Sequence, residues 1–185
     1  MKDKIPFYNI VNMFFVGAVF SLCLAILLSA YIPFEWIKEN ADLLSDWSIL
    51  ISAVLLIAMY EIGFIINRMG SIIVALIYEK VKLWPKEDYG IDVSELAKSN
   101  SRFQSMITEL NLMRSHIMMY FLLLVISFIL GEWILSVIFV ALIIVFTFGG
   151  KKHNTKINTI RKQASEREIK AKQETQKTKE YLEDN

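Results

Sequence analysis

Four apolar segments constrain this chain more than any other feature. They cover residues 7–32, 47–67, 110–130 and 133–149 of its 185 residues. A helix needs about 20 residues to cross a hydrocarbon core of about 30 Å, and each segment reaches or approaches that length. The first segment is also longer than the apolar region of a removable signal peptide. The sequence therefore predicts an all-α polytopic membrane protein with four transmembrane helices, the alternative being three spans and a re-entrant segment.

The polar segments predict how the chain is divided. Residues 1–150 would form the transmembrane domain, including a cytosolic helical extension at 68–109 between the second and third spans. Residues 151–185 would form a charged C-terminal tail. Apolar positions recur at helical spacing through residues 101–130, which predicts one helix that projects from the membrane into the third span. Residues 73–84 predict an amphipathic helix at the interface.

Basic residues are distributed unevenly, and this predicts the orientation. The loop at residues 33–46 has four acidic residues and one lysine, whereas residues 68–114 contain seven basic residues and the tail contains ten. Cytoplasmic loops of membrane proteins are enriched in Lys and Arg. We therefore expect the extension, the tail and both termini to be cytoplasmic.

Residues that could carry chemistry are few and scattered. The chain has two histidines, His116 and His153, one cysteine, Cys23, and seven glycines that form no phosphate-binding loop. Neither histidine has the neighbours that a metal site or a catalytic pair needs. A formal net charge of +1 and a tail without interleaved aromatic residues argue against direct nucleic-acid binding. We therefore expect no enzymatic activity, no metal and no cofactor.

Glu61 is the ionisable residue that lies well inside a predicted span. Tyr60 is next to it, and Asn67 and Arg68 follow about two turns later. Because a charge near the bilayer centre costs several kcal/mol, Glu61 should face the bundle, be protonated, or pair with Arg68 or another subunit. These four residues predict an intramembrane polar lock or switch, with a pore or proton path as the alternative. If the second span instead covered residues 55–78, Arg68 would lie deeper in the bilayer.

Small residues follow one another at intervals of four in the first span. Such residues share one helix face and let two helix backbones approach closely in lipid. The groove predicts packing against another span of the chain or between subunits of a homo-oligomer. Its residues are Gly17, Ser21, Ala25 and Ser29.

Two features of the polar regions predict contact with a partner. The projecting helix has an apolar stripe that other helices of the chain, a sister subunit or a partner protein must cover. The first half of the tail is basic, which suits an acidic partner or anionic lipid headgroups. The predicted docking residues are Phe103, Met106, Ile107 and Leu110 of the stripe, and Lys151, Lys152, Lys156, Arg161 and Lys162 of the tail.

Two stretches carry a resemblance to a known family. They are residues 7–12, Phe-Tyr-Asn-Ile-Val-Asn, and residues 60–70, which begin Tyr-Glu-Ile-Gly-Phe and end Arg-Met-Gly. With these stretches, and with its overall size and hydropathy, the chain resembles the KwaA family, the membrane subunits of the Kiwa anti-phage defence system. The resemblance implies a homotetrameric sensor in the bacterial inner membrane. This sensor would detect phage attachment or envelope disturbance and recruit the cytosolic DNA-binding subunit, KwaB.

Two functional hypotheses follow from the sequence and the resemblance. The first is a non-enzymatic oligomeric scaffold that senses a membrane event and anchors a cytosolic effector. The alternative is a membrane-permeabilising, pore-forming effector of a bacterial defence system, in which Ser21, Ser29, Ser48, Ser52 and Glu61 would line a narrow pore.

Overall fold

A computed structural model describes residues 7–29, 31, 45–84, 89–90, 93, 96–97 and 100–183, with side chains between residues 9 and 175. The regular elements within these ranges are all helical, which confirms the predicted all-α fold. They are α1 (Phe7–Leu28), α2 (Ser48–Met69), a π-helix (Gly70–Val74), α3 (Ala75–Lys80), α4 (Ser101–Ile129) and α5 (Trp133–Glu183).

Four stretches of these helices are long and apolar enough to cross a membrane. They are Asn9–Leu28, Ser48–Lys80, Ser101–Ile129 and Trp133–Thr175. Large apolar side chains remain exposed along them, such as Ile49 at 87 % and Ile134 at 78 %, as a lipid-facing surface requires. The protein is therefore a multi-pass membrane protein with four candidate spans, as the sequence predicted.

The helix α4 holds the bundle together. It packs along α5 and also against α1, α2 and the π-helix, while α1 pairs mainly with α2. Its buried side chains include Met119 and Leu123, both fully buried, and Ser127 one turn further along. Because these positions are three or four residues apart, they lie on one helix face, and that face forms the centre of the core.

Two glycines let α1 and α2 cross in direct backbone contact. A Cβ atom added to Gly17 would overlap the carbonyl oxygen of Met59, and one added to Gly63 would overlap that of Met13. Each of these Cβ atoms would also lie within 2.9 Å of the other glycine's backbone nitrogen. In lipid, helices associate through such close packing because they lack a hydrophobic driving force.

The second apolar helix continues beyond its predicted end at residue 67. The chain passes from α2 through the π-helix into α3 and leaves the helix after Lys80. Residues 73–80 therefore continue the second helix instead of starting a separate interfacial helix. At the start of the π-helix, a Cβ on Gly70 would lie 2.7 Å from the carbonyl oxygen of Arg114, so α4 approaches the backbone closely there.

Both α4 and α5 extend beyond the predicted spans. The helix α4 begins at Ser101, where the Asn100 side-chain oxygen accepts a hydrogen bond from the Phe103 amide at 3.1 Å. The single helix predicted over residues 101–130 is thus confirmed. The helix α5 has 51 residues, and at 1.5 Å per residue it is about 75 Å long.

The helix α5 runs through the predicted boundary at residue 150 without a break. The division into residues 1–150 and 151–185 stays a prediction, but no change in secondary structure marks it within the described part of α5. We call α4 before residue 110 together with α5 after residue 149 the helical projection.

Replacing Gly63 with alanine should destabilise the bundle. The new methyl group must displace the backbone of α1, and overpacking of this kind costs about 1–3 kcal/mol. Helix propensity alone would change stability by up to about 1 kcal/mol in the opposite direction. Thermal unfolding of the purified protein in mild detergent measures the effect.

Gly149→Ala is the matched control for Gly63→Ala. It also replaces a helical glycine, but its Cβ would meet only the flexible side chain of Met113, at 3.4 Å from the sulfur. We expect this variant to unfold at the wild-type temperature or above it. Equal unfolding temperatures for Gly63→Ala and wild type would contradict the close crossing of α1 and α2.

Candidate functional site

A polar cleft lies between α1, α2 and α4, at the end of the bundle that contains the start of α1. It has a volume of about 60 Å³, which is enough for a few water molecules. Met13, Val16 and Leu112 complete its wall. We define the polar cleft by its hydrogen-bonding side chains, which are Asn9, Asn12, Asn67, Thr108, Asn111 and Ser115.

One hydrogen bond joins two helices across this cleft. The Ser115 hydroxyl, on α4, donates to the side-chain oxygen of Asn67, on α2, at 2.6 Å. The same hydroxyl lies 2.9 Å from the carbonyl oxygen of Asn111, so its single hydrogen is shared between two acceptors. Ser115 is 1 % exposed. A polar group at such depth needs a partner, and this one fixes α2 against α4.

Arg114 extends this polar network along α4. Its Nη1 atom donates to the side-chain oxygen of Asn111 at 3.3 Å. The guanidinium also lies 5.6 Å from the ring centre of Trp84, a distance at which a cation is attracted to an aromatic face. Arg114 therefore connects the polar cleft with the segment that follows α3.

His116 lies in an aromatic cluster next to the cleft. Its ring stacks on Phe146 of α5, with the ring centres 4.6 Å apart and an angle of 7° between the planes. Phe15 and Tyr120 lie 6.3 Å and 6.1 Å from it. Its Nδ1 atom lies 2.9 Å from the Leu112 carbonyl oxygen, which can only accept, so Nδ1 donates. The cluster therefore connects α1, α4 and α5 around one imidazole.

The four residues predicted to form the polar lock or switch lie in different surroundings in the structure. Glu61 is exposed on α2, and Tyr60 is partly buried. The guanidinium of Arg68 lies 5.1 Å from the ring centre of Phe64. The ion pairs formed among the described residues do not include one between Glu61 and Arg68. Of the four predicted residues, Asn67 is the one that enters the cleft, and the roles of the other three stay predictions.

The predicted groove of small residues is buried at one end and open at the other. Gly17 contacts α2 and Ser21 is partly buried, whereas Ala25 and Ser29 are exposed. The Ser29 hydroxyl donates to the carbonyl oxygen of Ile26 at 2.7 Å within its own helix. Gly17 therefore packs against another helix of the same chain. That Ala25 and Ser29 pack against another subunit stays a prediction.

The predicted docking stripe on α4 is largely covered by the chain itself. Phe103 is fully buried and Leu110 is 5 % exposed, in the same apolar cluster as Ile157 of α5. Met106 and Ile107 are partly buried against this cluster. The stripe therefore offers little surface to a partner. The continuous helix α5 packs over these apolar side chains, whereas the sequence predicted a separate tail.

The basic residues of the predicted docking set divide into two groups. Arg161 is 6 % exposed. The four lysines of the set are exposed on the surface of α5, and we call them the basic surface: Lys151, Lys152, Lys156 and Lys162. A docking role for this surface stays a prediction.

An aromatic contact attaches the segment after α3 to α5. Trp84 is 1 % exposed and lies directly against Gly150, where a Cβ atom would overlap its ring. Its Nε1 donates to the Thr147 carbonyl oxygen at 3.3 Å, and the Tyr78 hydroxyl is 2.7 Å from the Thr147 hydroxyl oxygen. Further along, the Ser165 hydroxyl donates to the Tyr89 carbonyl oxygen at 3.0 Å. This segment and α5 therefore form one packed unit.

Comparisons with protein-family models, curated proteins and solved structures find no match for this chain. Among the described residues, no group of three or more His, Cys, Asp and Glu side chains is placed to hold a metal ion. The fold and the site define a class, a multi-pass membrane protein with four candidate spans in its described part, a polar cleft at one end and a long helical projection.

Sequence reasoning did not identify Ser115, Asn111 or Gly63 as site or packing residues. Each is ordinary in its local pattern, since a serine or asparagine in a helix usually faces solvent or its own backbone. Their roles arise from which helix faces them. The sequence signal that was available is the presence of Asn9, Asn12, Asn67 and Asn111 near the same ends of three apolar segments.

The hydrogen bond between Asn67 and Ser115 should stabilise the bundle measurably. In a double-mutant cycle with Asn67→Ala and Ser115→Ala, we expect a coupling free energy of about 0.5–1.5 kcal/mol, as for similar bonds between membrane helices. Reversible unfolding in mixed micelles measures all four proteins of the cycle. A coupling energy of zero would contradict the assignment of this bond as the contact between α2 and α4.

Glu61→Gln is the control for that cycle. It alters a polar side chain on the same helix that is exposed and outside the cleft. We expect it to leave the free energy of unfolding within about 0.5 kcal/mol of wild type, because Glu61 takes part in no ion pair among the described residues and glutamine has nearly the same size. A larger loss would show that Glu61, and not Asn67, is the important polar group of α2.

Proposed function

We propose that this protein is a non-enzymatic sensor and scaffold of the bacterial inner membrane. It assembles as a homo-oligomer, holds a cytosolic effector on the helical projection and responds to a membrane event through the polar cleft. The resemblance to the Kiwa membrane subunit supplies the event, phage attachment, and the effector, the DNA-binding subunit KwaB. The observation that carries the proposal is the unbroken α5, which extends from the fourth span to Glu183.

A continuous helix is a suitable device for transmitting a displacement. Its backbone hydrogen bonds limit it to gentle curvature, so a tilt of the span displaces the distant end as well. The helix α4 runs beside α5 and carries Ser115 of the cleft and Phe103 of the projection on the same rigid element. A rearrangement at the cleft would therefore move the projection as a unit.

The polar cleft has the properties of an element with two arrangements. Its asparagine and serine groups can exchange partners, and its volume admits water that would satisfy them during the exchange. A π-helix begins at Gly70, next to this cleft, and such segments are frequent at functional sites. A disturbance of the bilayer that moves α1 and α2 against α4 would act here.

The basic surface is the part of the predicted docking set that is available to an effector. Its four lysines are exposed on α5 next to the end of the fourth span. Exposed lysines attract acidic surfaces over about 8–10 Å at physiological ionic strength, which accelerates encounter and orients a partner. We propose that an acidic face of the effector binds along this surface.

The alternative of a pore has weaker support. The hydrogen-bonding groups of the polar cleft are confined to one end of the bundle. Further along α4, Leu123 is fully buried among apolar side chains. A pore would need a continuous polar path contributed by several subunits. The pore therefore stays an alternative that rests on the sequence alone.

Charge reversal on the basic surface should weaken effector binding. We expect the double variant Lys152→Glu and Lys156→Glu to reduce the affinity for KwaB by about tenfold or more, because each reversed charge weakens the free energy of binding by about 1 kcal/mol. Co-expression of the two proteins, followed by purification in mild detergent and titration of the effector at two salt concentrations, measures this.

Arg167→Glu with Lys170→Glu is the matched control for this experiment. It makes the same change in net charge on the same helix, two or more turns further from the span, at positions that are also exposed. We expect it to bind the effector within about threefold of wild type. Equal effects of the two double variants would contradict a defined docking surface, and unchanged binding in both would contradict the scaffold proposal.

A further inference from the structure

A second cavity, of about 210 Å³, lies within the helical projection and its junction with the bundle. Its walls come from α3, α4, α5 and Val93 of the segment between α3 and α4. Two arginines line it from different helices, Arg114 from α4 and Arg161 from α5, and we call it the arginine cavity. Apolar cavities of about 150 Å³ admit a molecule as large as benzene, so this one has room for a ligand.

Arg161 is buried to an extent that requires a partner. The residue is 6 % exposed, and its Nε atom has no hydrogen-bond partner within the described part of the chain. Its guanidinium lies 5.6 Å from the ring centre of Tyr89, which stabilises one face of the cation and leaves the in-plane Nε–H group unused. A buried guanidinium without a counter-charge costs several kcal/mol.

Arg114 lines the same cavity but is only partly buried, and Glu79, another lining residue, is close enough to attract its charge. Its Nη1 donates to Asn111 and its face lies over Trp84, but its Nε atom is buried and has no partner among the described residues. The ion pairs formed by the described residues include neither arginine. Both arginine residues line the same cavity, so one occupant could contact both side chains.

Among the described residues, the lining of the arginine cavity is positive. Glu79, at the end of α3, is the acidic residue among its lining side chains, and it is exposed. Two arginines and one glutamate give this described part of the lining a formal charge of +1. Asn154 and Asn158 of α5 add amide groups to the wall next to Arg161. This lining suits an anion with several oxygen acceptors.

We propose that the arginine cavity binds a phosphate group. A guanidinium forms two parallel N–H to oxygen bonds with a phosphate, and a phosphate has enough free oxygens for two arginines. The cavity begins beside Arg114, next to the end of the third span, and reaches Arg161, eleven residues beyond Gly150 on α5. The group can therefore belong to an anionic lipid headgroup or to a free phosphate in solution.

The unfolding temperature of the purified full chain tests this proposal. The first arm keeps the protein in mild detergent and adds inorganic phosphate against chloride at equal ionic strength. The second arm places it in nanodiscs of phosphatidylcholine, with and without phosphatidylglycerol. A ligand that binds the folded state raises the unfolding temperature as its concentration increases. A response to phosphate identifies a soluble source, and a response only to phosphatidylglycerol identifies a headgroup.

Arg161→Gln and Lys162→Gln form a matched pair for both arms. They remove the same charge from adjacent positions, one in the cavity and one on the exposed side of α5. We expect Arg161→Gln to weaken the ligand response by about tenfold or more, and Lys162→Gln to keep it within about threefold. Arg114→Gln, at the second lining arginine, should reproduce the loss and replaces Arg161→Gln in the test if that variant does not fold.

Three results would overturn the proposal. The first is a wild-type unfolding temperature that responds to neither phosphate nor phosphatidylglycerol. The second is an unchanged response in the arginine variants, which would mean that the cavity is not the site. The third is an equal loss in Lys162→Gln, which would show general attraction of anions to a basic helix.

Discussion

The need to satisfy every backbone polar group within hydrocarbon determines the rest of this structure. Each N–H and C=O group that enters the bilayer must find its partner inside the same helix, because no water is present to replace it. The chain meets this requirement with helices throughout its described spans. In α4 and α5 the helix then continues into the projection, where α4 and α5 cover each other's apolar faces. The projection is thus a continuation of the membrane helices and shares their rigidity.

Once the helices are formed, their association depends on contacts that gain energy without a hydrophobic effect. The crossing of Gly17 and Gly63 brings two backbones together, and Gly70 does the same beneath Arg114. The hydrogen bond between Ser115 and Asn67 then fixes the rotation of α4. Close packing determines the distance between helices and the polar bond determines their register, and the polar cleft lies where both effects meet.

Hydropathy predicted the number and type of the helices because length and apolar content are local properties of a sequence. It did not predict the site, because a site depends on which helix faces which. Glu61 has the residue type expected of an intramembrane lock, yet it faces outward, and Ser115 forms the interhelical bond. The apolar stripe on α4 was visible, but its cover by α5 depended on Gly149 and Gly150 remaining helical. Glycine favours a helix end on propensity alone, and here Trp84 packs into the space that Gly150 leaves.

The polar cleft and the arginine cavity share one side chain. Arg114 donates to the Asn111 side chain on the cleft side and is also one of the residues that line the cavity. Asn111 in turn provides the carbonyl oxygen that competes with Asn67 for the hydrogen of Ser115. An anion that draws Arg114 towards the cavity would weaken its bond to the Asn111 side chain, which is part of the polar cleft. Because such coupling is reciprocal, a rearrangement of the cleft would change the affinity for the anion by the same factor. The proposed sensing at the polar cleft and the proposed binding of an anion in the arginine cavity would then both depend on Arg114.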